Sequence, residues 1–153
     1  MSLREEVEDF YAEYGEIIDG GELERWPELF AEPCLYRIVS KENHDRGLPL
    51  SLMRCDGMGM LRDRALASQK LNVYAPRAWR HSITQIRARE EHGRIAVRAN
   101  FAVFETLQDE HTRVLCAGRY VDTLVRTEAG LRLREKICIY DAALIPGSIV
   151  MPL

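Results

Sequence analysis

The sequence predicts an α+β fold, with helices first and then a run of long antiparallel strands. Two observations carry that prediction. Up to about residue 70, apolar residues recur mostly at helical spacing, and beyond Pro76 they alternate residue by residue. Helices followed by a meander of strands is the order expected when helices cover one face of an antiparallel sheet. The 153 residues are 46% hydrophobic, and a chain near this size buries roughly 68–70% of its unfolded surface. A core of that extent needs no disulfide or metal to hold it. With no internal repeat, low-complexity tract or linker, residues 1–153 are read as one domain.

The first helix is expected over residues 3–19. Leu3, Val7, Phe10, Tyr11, Tyr14, Ile17 and Ile18 fall within about 120° of arc at 100° per residue. Ser2 and Glu5 have capping-box spacing, in which each side chain satisfies the other's free backbone N–H. Gly20 and Gly21 stop the helix. A short second helix over 22–30 gathers Leu23, Trp26, Leu29 and Phe30, with Pro27 in its tolerant first turn. Residues 34–40 read as a strand and 41–50 as a polar loop. A third helix is expected over 57–70, capped by Asp56 and contacting the core through Met60, Leu61, Ala65 and Leu66. Strands follow at 80–90, 94–107, 112–125 and 131–141, separated by turns at Glu91-His92-Gly93, Gln108-Asp109-Glu110 and Thr127–Gly130. Gly118, inside an otherwise apolar strand, marks a bulge or a close approach of backbones. The last strand is expected to turn Leu131, Leu133, Ile137 and Ile139 inward and Arg132, Arg134 and Lys136 outward. An apolar tail, 142–153, closes the chain.

Charge and motifs exclude several classes. The net charge of -3, from 21 basic and 24 acidic residues, gives no reason to expect nucleic acid. No apolar run approaches the roughly 20 residues of a membrane span. The acidic start of the chain lacks the apolar centre of a signal peptide, so a cytoplasmic protein is expected. Cys34, Cys55, Cys116 and Cys138 form no C-x-x-C pair and read as small buried hydrophobes. A Rieske centre needs Cys-x-His and Cys-x-x-His pairs, and a mononuclear iron needs two histidines and a carboxylate on one face. His44, His81, His92 and His111 provide neither spacing, so no metal or redox centre is expected in this chain. G-x-S-x-G, Walker and dinucleotide motifs are also missing.

What remains for catalysis is a set of acid–base side chains on inward faces: Tyr14, Tyr36, His81, Asp122, Glu135 and Tyr140. Glu135 sits on the expected apolar face of its strand, either as a tuned carboxylate or as a structural partner of Arg119. His81 reads as a structural or interface histidine, or as a general base. Tyr14 is most simply a core residue of the first helix. Arg77, Trp79, Arg80 and His81 combine residue types enriched at interfaces, and Arg119 and Asp122 join them as interface candidates, against a solvated basic edge with a core tryptophan.

Several segments, in order, resemble the small (beta) subunits of aromatic-ring-hydroxylating dioxygenases. They are the first helix with Phe10-Tyr11 and the stretch Asp19 to Phe30; Cys55-Asp56-Gly57-Met58-Gly59-Met60-Leu61-Arg62-Asp63-Arg64; Asn72 to Trp79 with the Arg80-His81 pair; Cys116 to Asp122, with its Gly-Arg-x-x-Asp pattern; and Gly130 to Tyr140-Asp141. The stretch from Met60 to His81 and the ending from Lys136 look most like subunits of enzymes acting on aromatic carboxylates, terephthalate-type enzymes among them. The resemblance implies a nuclear-transport-factor-2-like (cystatin-like, SnoaL-like) cone, a bent, mainly antiparallel sheet wrapped around the long first helix. It implies a non-catalytic subunit in a heteromer of three large and three small subunits. The large subunit would carry the Rieske 2Fe-2S cluster and the mononuclear iron. Two alternatives stand beside it. One is a stand-alone dehydratase, isomerase or cyclase of the same fold, using Tyr36, His81, Glu135 or Tyr140 in the cone. The other is a ligand-binding or homo-oligomeric module without catalysis.

Overall fold

A computed structural model describes residues 1–74, 76–142 and 151–153. Helix α1, Leu3–Asp19, buries Val7, Phe10, Tyr11, Tyr14, Ile17 and Ile18 along one stripe. Its capping box is closed: the Glu5 N–H donates to Ser2 Oγ at 3.2 Å, and the Ser2 N–H donates to the Glu5 carboxylate at 2.6 Å. The short second helix is a 3-10 helix, Leu23–Leu29, that buries Trp26 and Leu29. Phe30, expected at its end, instead begins strand β1, Phe30–Ser40. The polar segment after β1 contains a one-turn helix, α2, Lys41–Asp45, capped by Ser40. A short strand that the sequence reading omitted, β2, Met53–Asp56, precedes helix α3, Met58–Tyr74. Strands β3, Arg77–Glu91, β4, Arg94–Leu107, β5, Arg113–Thr127, and β6, Gly130–Tyr140, complete the sheet. Of the expected tail, residues 143–150 lie outside the described residues. Among the described residues, no helix is long and apolar enough to cross a membrane.

The strands form one sheet in the order β2-β1-β6-β5-β4-β3, with β1 parallel to β6 and every other pair antiparallel. Helices α1 and α3 and the 3-10 helix lie against one face, and that side holds the main core. Strand alternation therefore divides side chains between an inner face and an outer one. Gly118 faces β6 so closely that a Cβ there would sit 1.8 Å from the Ile139 carbonyl oxygen, which makes it a position for glycine alone. The bulge in β5 lies nearby at Leu115, where the pairing passes from Val103↔Cys116 to Phe104↔Val114.

A second bulge corrects the reading of β6. Pairing passes from Leu124↔Leu133 to Thr123↔Glu135, so Arg134 is an extra residue and the alternation slips by one. Leu131 and Leu133 point inward as expected, but Lys136 then turns inward and is buried, while Glu135 is exposed. Ile137 and Ile139 stay buried on the outer side, packed with Val39 and flanked by Leu35 and Val121. Glu135 is thus neither a cone residue nor a partner of Arg119, which instead lies 3.7 Å from Asp45.

Candidate functional site

Three polar constellations are built on this frame. The first sits where α1 crosses β3. Asp19 is the last residue of the helix, where the macrodipole disfavours a carboxylate and no basic side chain offsets it. It is held there by His81: the His81 backbone N–H donates to Oδ2 at 2.8 Å, and the His81 ring Nδ1 lies 2.7 Å from Oδ1. Two contacts from one carboxylate fix the ring and place its proton on Nδ1. Nε2 is then left buried, without a hydrogen-bond partner among the described residues. His81 as a residue borders an open groove of about 620 Å³ between α1 and β3, with Gly15, Glu16, Arg80 and Gln85, but its side chain is itself fully buried. Gly15 faces His81 across the crossing, where a Cβ would be 3.6 Å from the His81 Cβ, an ordinary contact. The sequence reading missed Asp19 as a partner; its carboxylate at the wrong end of a helix was the available signal.

The second constellation lies inside the cone. Lys136 and Asp122 are fully buried and paired at 2.9 Å, and the Tyr11 hydroxyl donates to the same Asp122 oxygen. The Lys136 ammonium stands 3.2 Å from the Tyr120 ring centroid and 4.5 Å from that of Tyr14, an aromatic cage that offsets part of its desolvation. Burial raises the Asp122 carboxyl above the ordinary range, against the opposing charge of Lys136 and hydrogen bonds from Tyr11 and Lys136. Burial likewise drives the Tyr11, Tyr14, Tyr36 and Tyr120 hydroxyls well up and the Cys138 thiol to about 12. These groups stay protonated at neutral pH; Tyr11, Tyr14, Tyr36 and Cys138 act as hydrogen-bond donors, while the Tyr120 hydroxyl has no partner among the described residues. Packed among these side chains is Leu153. Leu153 is fully buried, its carbonyl accepting from Tyr14 at 2.6 Å and from Tyr36 at 3.3 Å.

The third constellation ties the free edge of the sheet. Glu105 on β4 accepts from Trp79 Nε1 at 2.8 Å, from Arg77 at 3.2 Å and from Arg113 at 2.7 Å. Burial works to raise this carboxyl, but the Arg113 and Trp79 hydrogen bonds and the charges of Arg77 and Arg113 outweigh it and hold it below its ordinary value. Among the interface candidates, Trp79 and Asp122 are therefore committed to the interior, because each has a buried partner to satisfy. Arg80 is exposed on the outer face and Arg119 is partly so. Tyr36 and Tyr140 do face the main core. The structure brings none of Tyr36, Glu135 and Tyr140 together with His81 in one reaction chamber: His81 is in the groove, and Glu135 is outside.

Comparison with known proteins is decisive at the level of family. The chain matches the SnoaL-like domain family over residues 1–136. Over 137 residues, 89% of this chain and 85% of the relative, it is 38% identical to the anthranilate 1,2-dioxygenase small subunit of Burkholderia cepacia. The chain belongs to the dioxygenase small subunits. Like this small subunit, a beta 2 subunit of the terephthalate 1,2-dioxygenase terminal oxygenase from Comamonas sp. aligns along the whole length, 28% identical over 97% of both chains. The crystal structure of the beta subunit of an assigned aromatic-ring-hydroxylating dioxygenase from Novosphingobium aromaticivorans superposes with a TM-score of 0.86, at 36% identity over 98% of this chain and 96% of that one. A naphthalene 1,2-dioxygenase structure shares the fold at TM-score 0.82 and 14% identity, over 99% of this chain and 86% of that one. The α+β cone expected from the sequence is therefore the fold of this small subunit.

Proposed function

We propose that this small subunit is a structural, non-catalytic component of an aromatic-ring dioxygenase, assembling with a large subunit that performs the oxidation. The observation that carries the reading is the closed cone. Where an NTF2-like enzyme would need a reaction chamber, the Lys136–Asp122 pair, four protonated tyrosines and Leu153 fill the interior. The iron centres belong to the partner in this reading. The cysteines lie on β1, β2, β5 and β6, strands that carry no histidine, so the soft and imidazole donors that a Rieske cluster combines are not brought together by the topology. The relatives named for anthranilate and terephthalate dioxygenases support an aromatic carboxylate as the ring substrate of the assembly, and three large and three small subunits are our proposal for its stoichiometry.

The test is co-expression with a large oxygenase subunit. The expected outcome is a stable mixed complex whose iron stays with the large chain after the subunits are separated. Failure of the two to associate, together with turnover by this chain alone, overturns the proposal. One observation favours that second outcome, an acid–base enzyme: the Asp19-oriented His81 lies beside an open groove, and its buried Nε2 has no hydrogen-bond partner among the described residues. Under that reading His81→Gln abolishes turnover by the isolated chain, whereas a structural subunit has no such turnover to lose.

A further inference from the structure

The outer face of the sheet carries a charge arrangement that folding leaves unrelieved. Arg87 on β3 stands directly opposite Arg98 on β4, and like charges directly opposed across strands are destabilising. Both side chains are exposed, and neither has an ion pair among the described residues, whereas the neighbouring Arg89 is taken by Glu91. Arg87, Arg89 and Arg98 border an open depression of about 530 Å³ floored by Ala96. Along the same face, Ser82, Asn100, Ala102 and Ala117 line a second depression of about 330 Å³ that ends at Asp141 and at Arg119, the latter 3.7 Å from Asp45. Beyond it Arg80 pairs with Phe104 and Phe104 with Val114, which is 55% exposed. The cations of this face are arginines, although lysine is the other cation the chain had available; Lys41, Lys70 and Lys136 all lie elsewhere. Arginine and aromatic residues over small or apolar ones, without lysine, is the composition of interface centres rather than of solvated faces.

We infer that this outer face of β3, β4 and β5 is where the small subunit docks the large subunit, with Arg87 and Arg98 receiving carboxylates from an acidic surface of that partner. The inference rests on the accessory-subunit reading above. Charge decides the occupant. A second copy related by a two-fold axis would set arginine against arginine, because such an interface brings one patch onto itself. A partner carboxylate relieves the Arg87–Arg98 repulsion and gains bidentate hydrogen bonds from a guanidinium. This face takes the place of the buried candidates Trp79 and Asp122 as the interface, while keeping Arg80 and Arg119.

Arg98→Glu separates docking from folding, because the two effects have opposite sign. The substitution turns the opposed Arg87 and Arg98 into an ion pair, so the isolated chain is expected to melt no lower than wild type. The same change reverses the docking charge, so affinity for the large subunit is expected to fall at least about tenfold, with the wild-type affinity itself weakening as salt rises. Arg62→Glu, on the exposed side of α3, is the charge-matched control and is expected to bind like wild type. If wild type and Arg98→Glu bind the large subunit equally, or Arg62→Glu weakens binding as much, the docking face is wrong while the accessory-subunit reading stands. If wild type never binds, that reading falls and takes this inference with it. If sedimentation instead shows a homodimer of the isolated chain that Arg98→Glu disrupts, a second copy is the occupant and the inference is overturned.

Discussion

At the scale of single residues, the buried Lys136–Asp122 pair carries a large desolvation cost. Removing one partner leaves an uncompensated charge in a fully buried site, so Asp122→Ala is expected to destabilise by about 3–5 kcal/mol in urea unfolding. Replacing both residues, Asp122→Leu with Lys136→Met, is expected to cost less than Asp122→Ala alone, because no charge is stranded. A double variant as unstable as the sum of the singles would show that the two groups act independently. Glu105 supplies a pH signature of opposite sense. Its carboxyl is held below the ordinary value of 4.5 in the folded chain, so its stabilisation is present above that pH and is lost as pH falls through the folded value. Asp122 is shifted upward and so contributes the other way, but it is common to wild type and Glu105→Gln. The stability difference between those two proteins is therefore expected to shrink on acidification below pH 4.5, read from unfolding midpoints across a pH series. A difference that is constant with pH would mean the Glu105 charge contributes nothing.

At the scale of elements, the two glycines at close contacts differ in what they tolerate. Gly118→Ala drives a methyl into the Ile139 carbonyl, so β5 and β6 must separate, and a loss of roughly 3 kcal/mol or more is expected. Gly15→Ala meets the His81 Cβ at an ordinary 3.6 Å and improves a helix interior, so it is expected to be neutral or stabilising by up to about 1 kcal/mol. Thermal melts of the two variants test the pair together, and equal losses would contradict the geometry. The same elements show what the sequence could reveal. The α1 stripe and its capping box are local patterns, written within the helix and its Ser2 cap, and they were legible. So were the meander strands and the special position of Gly118. The slip at Arg134 was not, because a bulge depends on what the neighbouring strand offers; one extra residue exchanged Glu135 and Lys136 between faces and misdirected the search for a cone carboxylate. Helix α3 misled for a related reason. Leu61 and Ala65 are buried, but Met60 and Leu66 are exposed, so apolar type alone did not mark its packed face. The Asp19–His81 contact spans 62 residues and left only the oddly placed carboxylate as a trace.

At the scale of the whole molecule, the question is whether the cone is a chamber or a core. Leu153 answers as part of a core, since its side chain is fully buried and its carbonyl is the acceptor for Tyr14 and Tyr36. Those hydroxyls are pushed well up by burial, so they cannot shed the need for an acceptor by ionising. Two variants separate the apolar and polar parts of this closure. Leu153→Ala removes the side chain but keeps the carbonyl, and a loss of about 2–5 kcal/mol is expected from the vacated volume. Deleting Leu153 also strands the two tyrosines, and a further loss of about 1–3 kcal/mol is expected. Because Leu153→Ala vacates apolar volume in the core without stranding a hydroxyl, that variant, but not the wild-type chain, is expected to bind benzene or a similar solute by NMR titration. Binding by the wild-type chain at the same site would mean that the cone opens in solution. A chain able to host a ring in its own interior would return the acid–base reading to contention, whereas a closed one leaves the chemistry to the partner.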